Sequence, residues 1–323
     1  SGKSIDGVNS KKYFYKRKKL NPIIKGDFKI KNFEHGCLIQ FVENEFSNEN
    51  ASINLIKKDT TLNFPLKRID QNILTTDIID FNDLDNIKFL QVSFNSNPTF
   101  SFKKNLNSKL FYPNEGLFIK MNDFVIDENE NFINDTTLFW IIEKEFNKKH
   151  KLDFQSNIYE LNPNTVILNR PLNIHFESKE NEVGIGIYFY DSKKDKWNYL
   201  KTTYANQRYS TSVLSNEIFA LIKDDEIPII SNLIPNVNST YKFQDLDMLS
   251  FNVMDDLSGI NDIKNIEVKI DSEVILFDYI PYRNLVQYKF SEDLLEGEHT
   301  IEINVKDNVG NTVTINGSFK INE

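Results

Sequence analysis

The chain is 323 residues long, 40% hydrophobic and 26% charged, with a formal net charge of −9 and a pI near 5.2. An acidic balance of this size argues against nucleic acid as the main partner, because phosphate binding draws on a basic surface that releases counterions. The single cysteine, Cys37, excludes an internal disulfide framework and a cysteine-based zinc cluster without fixing the compartment, and no run approaches the ~18 apolar residues of a membrane span.

Twenty-six Phe and thirteen Tyr against eleven Gly favour strands, since aromatic and β-branched side chains pack well on a pleated surface. A chain of this length supports two or three domains. The resulting expectation is an all-β fold of three tandem β-sandwich, immunoglobulin-like domains over 26–102, 103–225 and 226–323, behind a basic segment over 1–25.

That opening segment carries Lys3, Lys11, Lys12, Lys16, Arg17, Lys18, Lys19 and Lys25 against Asp6. It reads as a solvated linker, or as an arm that touches an anionic surface. No apolar leader follows Ser1-Gly2, so the start reads as a mature product or an excised fragment. From Asp27 onward apolar residues alternate in short runs around Phe28, 37–42, 53–55, 61–64 and 88–94, separated by Asn-, Asp- and Ser-rich turns.

In the second unit, the run Thr136–Phe146 is long enough for a helix, yet its aromatic and β-branched content predicts a strand buried on both faces. Gly184–Tyr190, a turn over Asp191–Lys196 and a return over Trp197–Leu200 read as a hairpin, and Ile218–Ile222 closes the unit. The stretch Asp224-Asp-Glu-Ile-Pro228 reads as a linker ended by proline. In the third unit strands are expected around 249–253, 266–270, 286–290, 300–305 and 313–321, with Ile301, Ile303 and Val305 facing inward and Glu302 and Asn304 outward.

No residue is assigned a catalytic, cofactor-binding or metal-binding role. The four histidines, His35, His150, His175 and His299, lack zinc-hydrolase spacing, although His35 and Cys37 would share a strand face and form a conceivable metal pair. There is no G-x-S-x-G elbow, and Gly184-x-Gly186 leads into a strand, where the glycines relieve crowding rather than bind a dinucleotide. Asp255, Asp256 and Asp262, set against Asp307 and Asn308, raise calcium as a minor alternative to turn-making. Tyr188, Tyr190, Trp197 and Tyr199 face one another across the hairpin, as a sugar-stacking platform if exposed or as core, the reading favoured for Trp197.

Residues Phe219–Ile229, Asp255-Asp-Leu-Ser-Gly-Ile260, Phe277-Asp-Tyr279, Gly297-Glu-His299 and Asp307-Asn-Val-Gly-Asn311 together resemble the immunoglobulin-like tail behind the catalytic domain of bacterial lysostaphin-type zinc metallopeptidases, which cut peptidoglycan cross-links. The second unit looks more loosely like a ZU5-type sandwich, through Arg170-Pro171 and the Trp197 hairpin. The metallopeptidase zinc motifs H-x-x-x-D and H-x-H have no counterpart here, so the resemblance implies a non-catalytic portion with no cofactor. The functional expectation is an accessory or spacer region of an exported bacterial cell-envelope protein, periplasmic or extracellular, with a cell-envelope protein or wall polymer as partner. The alternative is a glycan-binding or adhesive surface module.

Overall fold

A computed structural model describes residues 26–44, 50–95, 101–113, 115–129, 132–145, 152–290 and 294–322. The basic segment expected over 1–25 lies outside the described residues, as does His150. The regular secondary structure of the described chain is nearly all strand, as its aromatic and β-branched composition dictates.

The first unit comprises β1 (Gly26–Phe33), β2 (Gly36–Glu43), β3 (Ala51–Ile56), β4 (Thr61–Asp70), β5 (Ile73–Thr75), β6 (Ile79–Asp80), the one-turn helix α1 (Phe81–Leu84), β7 (Phe89–Phe94) and β8 (Ser101–Asn105). These strands form one sheet in the order β1-β2-β5-β4-β3-β7-β8, with β6 beside β2. Strand β4 pairs with β3 through Thr61–Leu66 and with β5 from Lys67 onward, and its register slips between Arg68 and Asp70. Such an irregularity bends the strand and increases its local twist. The sheet therefore curls until its two edge strands meet: the rings of Phe28 and Phe102 lie 5.6 Å apart, and Lys104 pairs with Asp27. The sequence led to a two-sheet sandwich here. One curled sheet is found instead, because β4 runs unbroken through both halves, and β8 crosses the 102/103 boundary drawn from the sequence.

The second unit holds β9 (Asn107–Phe111), β10 (Leu117–Met121), β11 (Phe124–Glu128), β12 (Thr137–Lys144), β13 (Asp153–Phe154), β14 (Ile158–Asn162), β15 (Leu172–Glu177), β16 (Ile185–Asp191), β17 (Lys196–Leu200), β18 (Thr203–Ala205), β19 (Arg208–Val213) and β20 (Ile218–Lys223). A five-stranded sheet, β10-β11-β15-β19-β18, lies against a seven-stranded one, β17-β16-β20-β14-β12-β9 with β13 beside β20. Between them sits a core that includes Phe124, Tyr159, Phe176 and Phe219.

The seven-stranded sheet is buried on both faces. Along β12 the side chains alternate between two cores: Phe139 and Ile141 join the second unit's interior, while Leu138, Trp140 and Ile142 join the first unit's core with Leu110. At the other end of the sheet the outer-face residues Ile158, Tyr188, Trp197, Ala220 and Ile222 form a separate cluster that Leu257 of the third unit packs against. A strand covered on both sides reads as a continuous apolar run, which is why Thr136–Phe146 looked ambiguous by periodicity and why strand was the correct choice.

The third unit is built from β21 (Ile229–Ile234), β22 (Thr240–Lys242), β23 (Met248–Met254), β24 (Ile266–Ile270), β25 (Glu273–Val274), β26 (Asp278–Ile280), β27 (Leu285–Lys289), β28 (Gly297–Lys306) and β29 (Thr312–Asn322). Its two sheets have the orders β21-β23-β27-β26 and β22-β29-β28-β24-β25, and β22 runs parallel to β29. Lettered in chain order as A, A′, B, C, C′, D, E, F and G, they become A-B-E-D and A′-G-F-C-C′, the strand order of an immunoglobulin sandwich. Ile301, Ile303 and Val305 are buried between them and Glu302 and Asn304 are not, as alternation requires. With neither cysteine nor tryptophan in this unit, the sandwich is held by aliphatic and Phe packing around Leu249, Phe251, Val268, Val286 and Phe319.

Candidate functional site

The densest convergence of polar chemistry among the described residues lies where the second and third units meet. Three elements build it. Asp224 follows β20, Asp255 follows β23, and Asp307 opens the turn between β28 and β29. One carboxylate oxygen from each lies within 4.8 Å of the other two. Asp224 and Asp307 are buried and Asp255 is half-buried.

The local sequence explains how these acids are held. Asp307 Oδ1 accepts hydrogen bonds from the backbone N–H groups of Val309, Gly310 and Asn311 at 2.9, 2.6 and 2.8 Å, and its Oδ2 accepts from Asn311 Nδ2 at 2.7 Å. Asp255 Oδ1 accepts from the N–H groups of Leu257 and Gly259 at 3.2 and 2.6 Å, and from Ser258 Oγ at 3.2 Å. These are turns closed by a side chain on its own backbone. Gly259 and Gly310 take φ of +77° and +111°, which glycine adopts without steric cost. The turn reading of both motifs is therefore correct.

The same loops also dock onto the second unit. Asp224 Oδ2 accepts from the N–H of Ser258 at 3.0 Å and its Oδ1 from that of Glu226 at 3.1 Å. Asn311 Nδ2 donates to the Asp224 carbonyl at 2.8 Å, the Tyr199 hydroxyl to the Asn308 carbonyl at 3.2 Å, and the Gly184 N–H to the Val309 carbonyl at 3.2 Å. A Cβ on Gly186 would come within 2.7 Å of the Tyr199 ring and 3.2 Å of Val309. Glycine at 186 thus relieves crowding, as the sequence suggested, and the crowding includes the neighbouring unit.

Electrostatically the three acids are exposed to one another with little cationic relief. No described lysine, arginine or histidine forms an ion pair with any of them; the adjacent Lys223 is engaged by Glu182 and Asp225 at 3.5 and 3.6 Å. Burial pushes Asp224 above the ordinary carboxylate range and the charge of Asp255 adds to this, against hydrogen bonding by the Ser258 side chain and by the N–H groups of Glu226 and Ser258. The Tyr188 side chain is fully buried, and its hydroxyl has no hydrogen-bond partner. Burial foremost, and then Asp224, Tyr199, Asp255 and Asp307, push that hydroxyl's pKa up, so the same three carboxylates act on it.

The remaining candidates fall elsewhere. Asp256 is exposed, Asp262 caps a short turn by accepting from the Lys264 N–H at 3.0 Å, and Asn308 donates to the Ser258 carbonyl at 2.9 Å; none joins the three converging acids. Asp224 was missed because a linker rich in acids and closed by proline carries no hint of burial. The His35–Cys37 pair does not form. Glu34 and His35 are the two-residue turn between Phe33 and Gly36, so the period of two fails there: His35 is exposed, while Cys37 is buried and donates to Asn32 Oδ1 at 2.8 Å. Burial pushes the Cys37 thiol up to about 12. His175 lies buried within β15, and His299 stands at the start of β28.

The hairpin aromatics pair across β16 and β17 as Tyr188 with Tyr199 and Tyr190 with Trp197. Trp197 is 2% and Tyr188 0% exposed while Tyr190 and Tyr199 are half-buried, so each cross-strand pair of the expected sugar-stacking platform has one ring closed off from solvent. Trp197 packs edge-on against Phe154, with ring centroids 5.5 Å apart.

No protein-family model and no curated protein matches the chain. Among solved structures, one concerned with host cell surface retention of a 1.5-MDa bacterial ice-binding adhesin aligns over 93% of this chain and 99% of that one, at 9% identity and a TM-score of 0.18. The extracellular domain of a B. thetaiotaomicron hybrid two-component system aligns over 91% of this chain at 11% identity and a TM-score of 0.22, and there the chain spans 42% of the other's length. The protocadherin GammaB4 extracellular domain aligns over 92% of this chain and 60% of that one, at 10% identity and a TM-score of 0.19. Similarity this low carries no inference about function. No helix among the described residues is long and apolar enough to cross a membrane.

Proposed function

We propose that the chain is a non-catalytic spacer of an exported bacterial cell-envelope protein, in which three β units are locked in sequence so that a partner attached to one end is held at a defined position. The observation that carries this reading is the double coverage of the seven-stranded sheet. Its outer face gives Leu138, Trp140 and Ile142 to the first unit's core at one end, and Tyr188 and Trp197 to a cluster with Leu257 of the third unit at the other. Domains joined by flexible linkers need no shared core, and relative motion is then their default. Here each junction is packed, and the second adds four hydrogen bonds through the loops at 258 and 308–311, so the hinges expected of a linker are replaced by contacts.

Association with a cell-wall peptidase remains part of the proposal on the strength of the sequence resemblance in the third unit alone. Of the residues named for the glycan-binding alternative, Tyr188 and Trp197 are buried, while Tyr190 and Tyr199 are half-buried.

Small-angle scattering of the purified chain, together with assays against peptidoglycan and wall polymers, tests the reading. A single rigid arrangement of the three units with no turnover supports it. Scattering that requires units reorienting freely, or measurable peptidoglycan hydrolysis, would overturn it.

A further inference from the structure

We propose that Asp224, Asp255 and Asp307 bind a divalent cation of calcium size at the junction of the second and third units. The donor set is the first ground. Three carboxylates, with neither nitrogen nor sulfur among them, suit a hard cation that takes oxygen ligands. Oxygens bound to one calcium at about 2.4 Å are separated by at most about 4.8 Å, an upper bound that the three carboxylate oxygens here satisfy.

The second ground is independent of the acids. A tyrosine hydroxyl buried without a partner forfeits its hydrogen bonds to water. The Tyr188 hydroxyl is in that position, within the electrostatic influence of all three carboxylates, and none accepts a hydrogen bond from it. A cation held between the acids, carrying its own water, gives the hydroxyl a partner and offsets the mutual repulsion of the carboxylates. Asp255 directs Oδ1 to its own turn, which leaves Oδ2 without a protein donor, whereas both oxygens of Asp224 and of Asp307 accept from protein donors and would share a remaining lone pair with the cation.

The site stands whatever the biological role of the chain. Asp224 and Tyr188 come from the second unit and Asp255 and Asp307 from the third, so a bound cation would tie the two together.

The test uses the full chain stripped with a chelator and titrated calorimetrically with calcium chloride, then separately with magnesium chloride. Saturable binding of one calcium with Kd of about 10⁻⁵–10⁻³ M is expected, with magnesium at least about tenfold weaker because it demands shorter, octahedral bonds. Asp255→Asn keeps an acceptor for the Leu257 and Gly259 N–H groups while removing one charge, and should weaken calcium at least about tenfold. Tyr188→Phe retains the packing of the ring and should weaken it several-fold. Absence of saturable calcium binding by the wild-type chain up to about 10 mM would refute the site without recourse to any variant. Binding unchanged by Asp255→Asn in a protein that melts like wild type would refute it too, and equal affinity for magnesium would overturn the assignment of cation size.

Discussion

Trp140→Ala, set against Phe139→Ala, would show whether one strand serves two cores. Trp140 is 3% exposed and belongs to the first unit's core, although β12 is hydrogen-bonded to β9 and β14 in the second unit. It also lines a cleft with residues 27–32 of β1, so its removal leaves a void against the first unit. Truncating a buried Trp or Phe to Ala costs about 3–5 kcal/mol through lost transfer energy and residual cavity, a large share of the roughly 5–15 kcal/mol that holds a domain folded. At 1.4 kcal/mol per decade, exchange through unfolding of the affected region should accelerate by at least about a hundredfold. Hydrogen exchange read by mass spectrometry should therefore show Trp140→Ala deprotecting β2 and β3 most strongly. Phe139→Ala, one residue away, should deprotect β10 and β15 instead, because Phe139 packs with Phe111 and Phe132 in the second core. If Trp140→Ala deprotected β10 and β15 while β2 and β3 kept their protection, the two-faced reading of the sheet would be wrong.

Three further outcomes are expected. Glu43 is buried and held by Arg68 at 2.8 Å, so Arg68→Ala should destabilise the first unit by about 3 kcal/mol in denaturant titration, whereas replacing both with apolar residues should recover most of that. In the third unit, both ring nitrogens of His299 face acceptors, Asp271 Oδ2 at 2.6 Å and the Leu295 carbonyl at 2.7 Å, an arrangement that suits the doubly protonated ring. Burial works against the charged ring, but Leu295 and Asp271 outweigh it and raise His299 above 6.5, while Asp271, also opposed by burial, is lowered below 3.8 by His299 and Thr300. The His299 contribution is thus complete below pH 6.5 and lost as pH rises through the elevated value, and that of Asp271 is lost as pH falls through its depressed one. Melting curves should show about 1 kcal/mol of third-unit stability disappearing on the alkaline side, and a His299→Phe chain should lack that loss. Finally, Tyr188→Phe in chelator-treated protein should raise stability by about 1 kcal/mol, since it deletes a buried hydroxyl that has no partner; a loss of stability would mean that the hydroxyl is already satisfied.

The sequence by itself determined the all-β class and the principal strands of the third unit, because both follow from short-range properties. Side-chain type sets strand propensity, and alternation with a period of two sets the faces, as at Ile301 to Val305. It also marked the turns at 255–260 and 307–311, since Asp and Gly at those offsets close a loop using only their own backbone. Where a strand faced two neighbours, as β12 does, the pattern still reported burial but could not name the partners.

Only the tertiary structure decided the rest. The first unit's single curled sheet depends on the bend in β4 and on the meeting of Phe28 with Phe102, residues more than seventy positions apart. His35 lies within the two-residue turn that precedes β2, where the alternation that would set it beside Cys37 does not hold. The junction site is the plainest case: Asp224, Asp255 and Asp307 lie in three loops that approach one another only after two units have folded and docked. Spacing along a chain encodes which residues share a face of one strand, whereas convergence of loops from different sheets depends on how those sheets pack, and that is a long-range property of the fold.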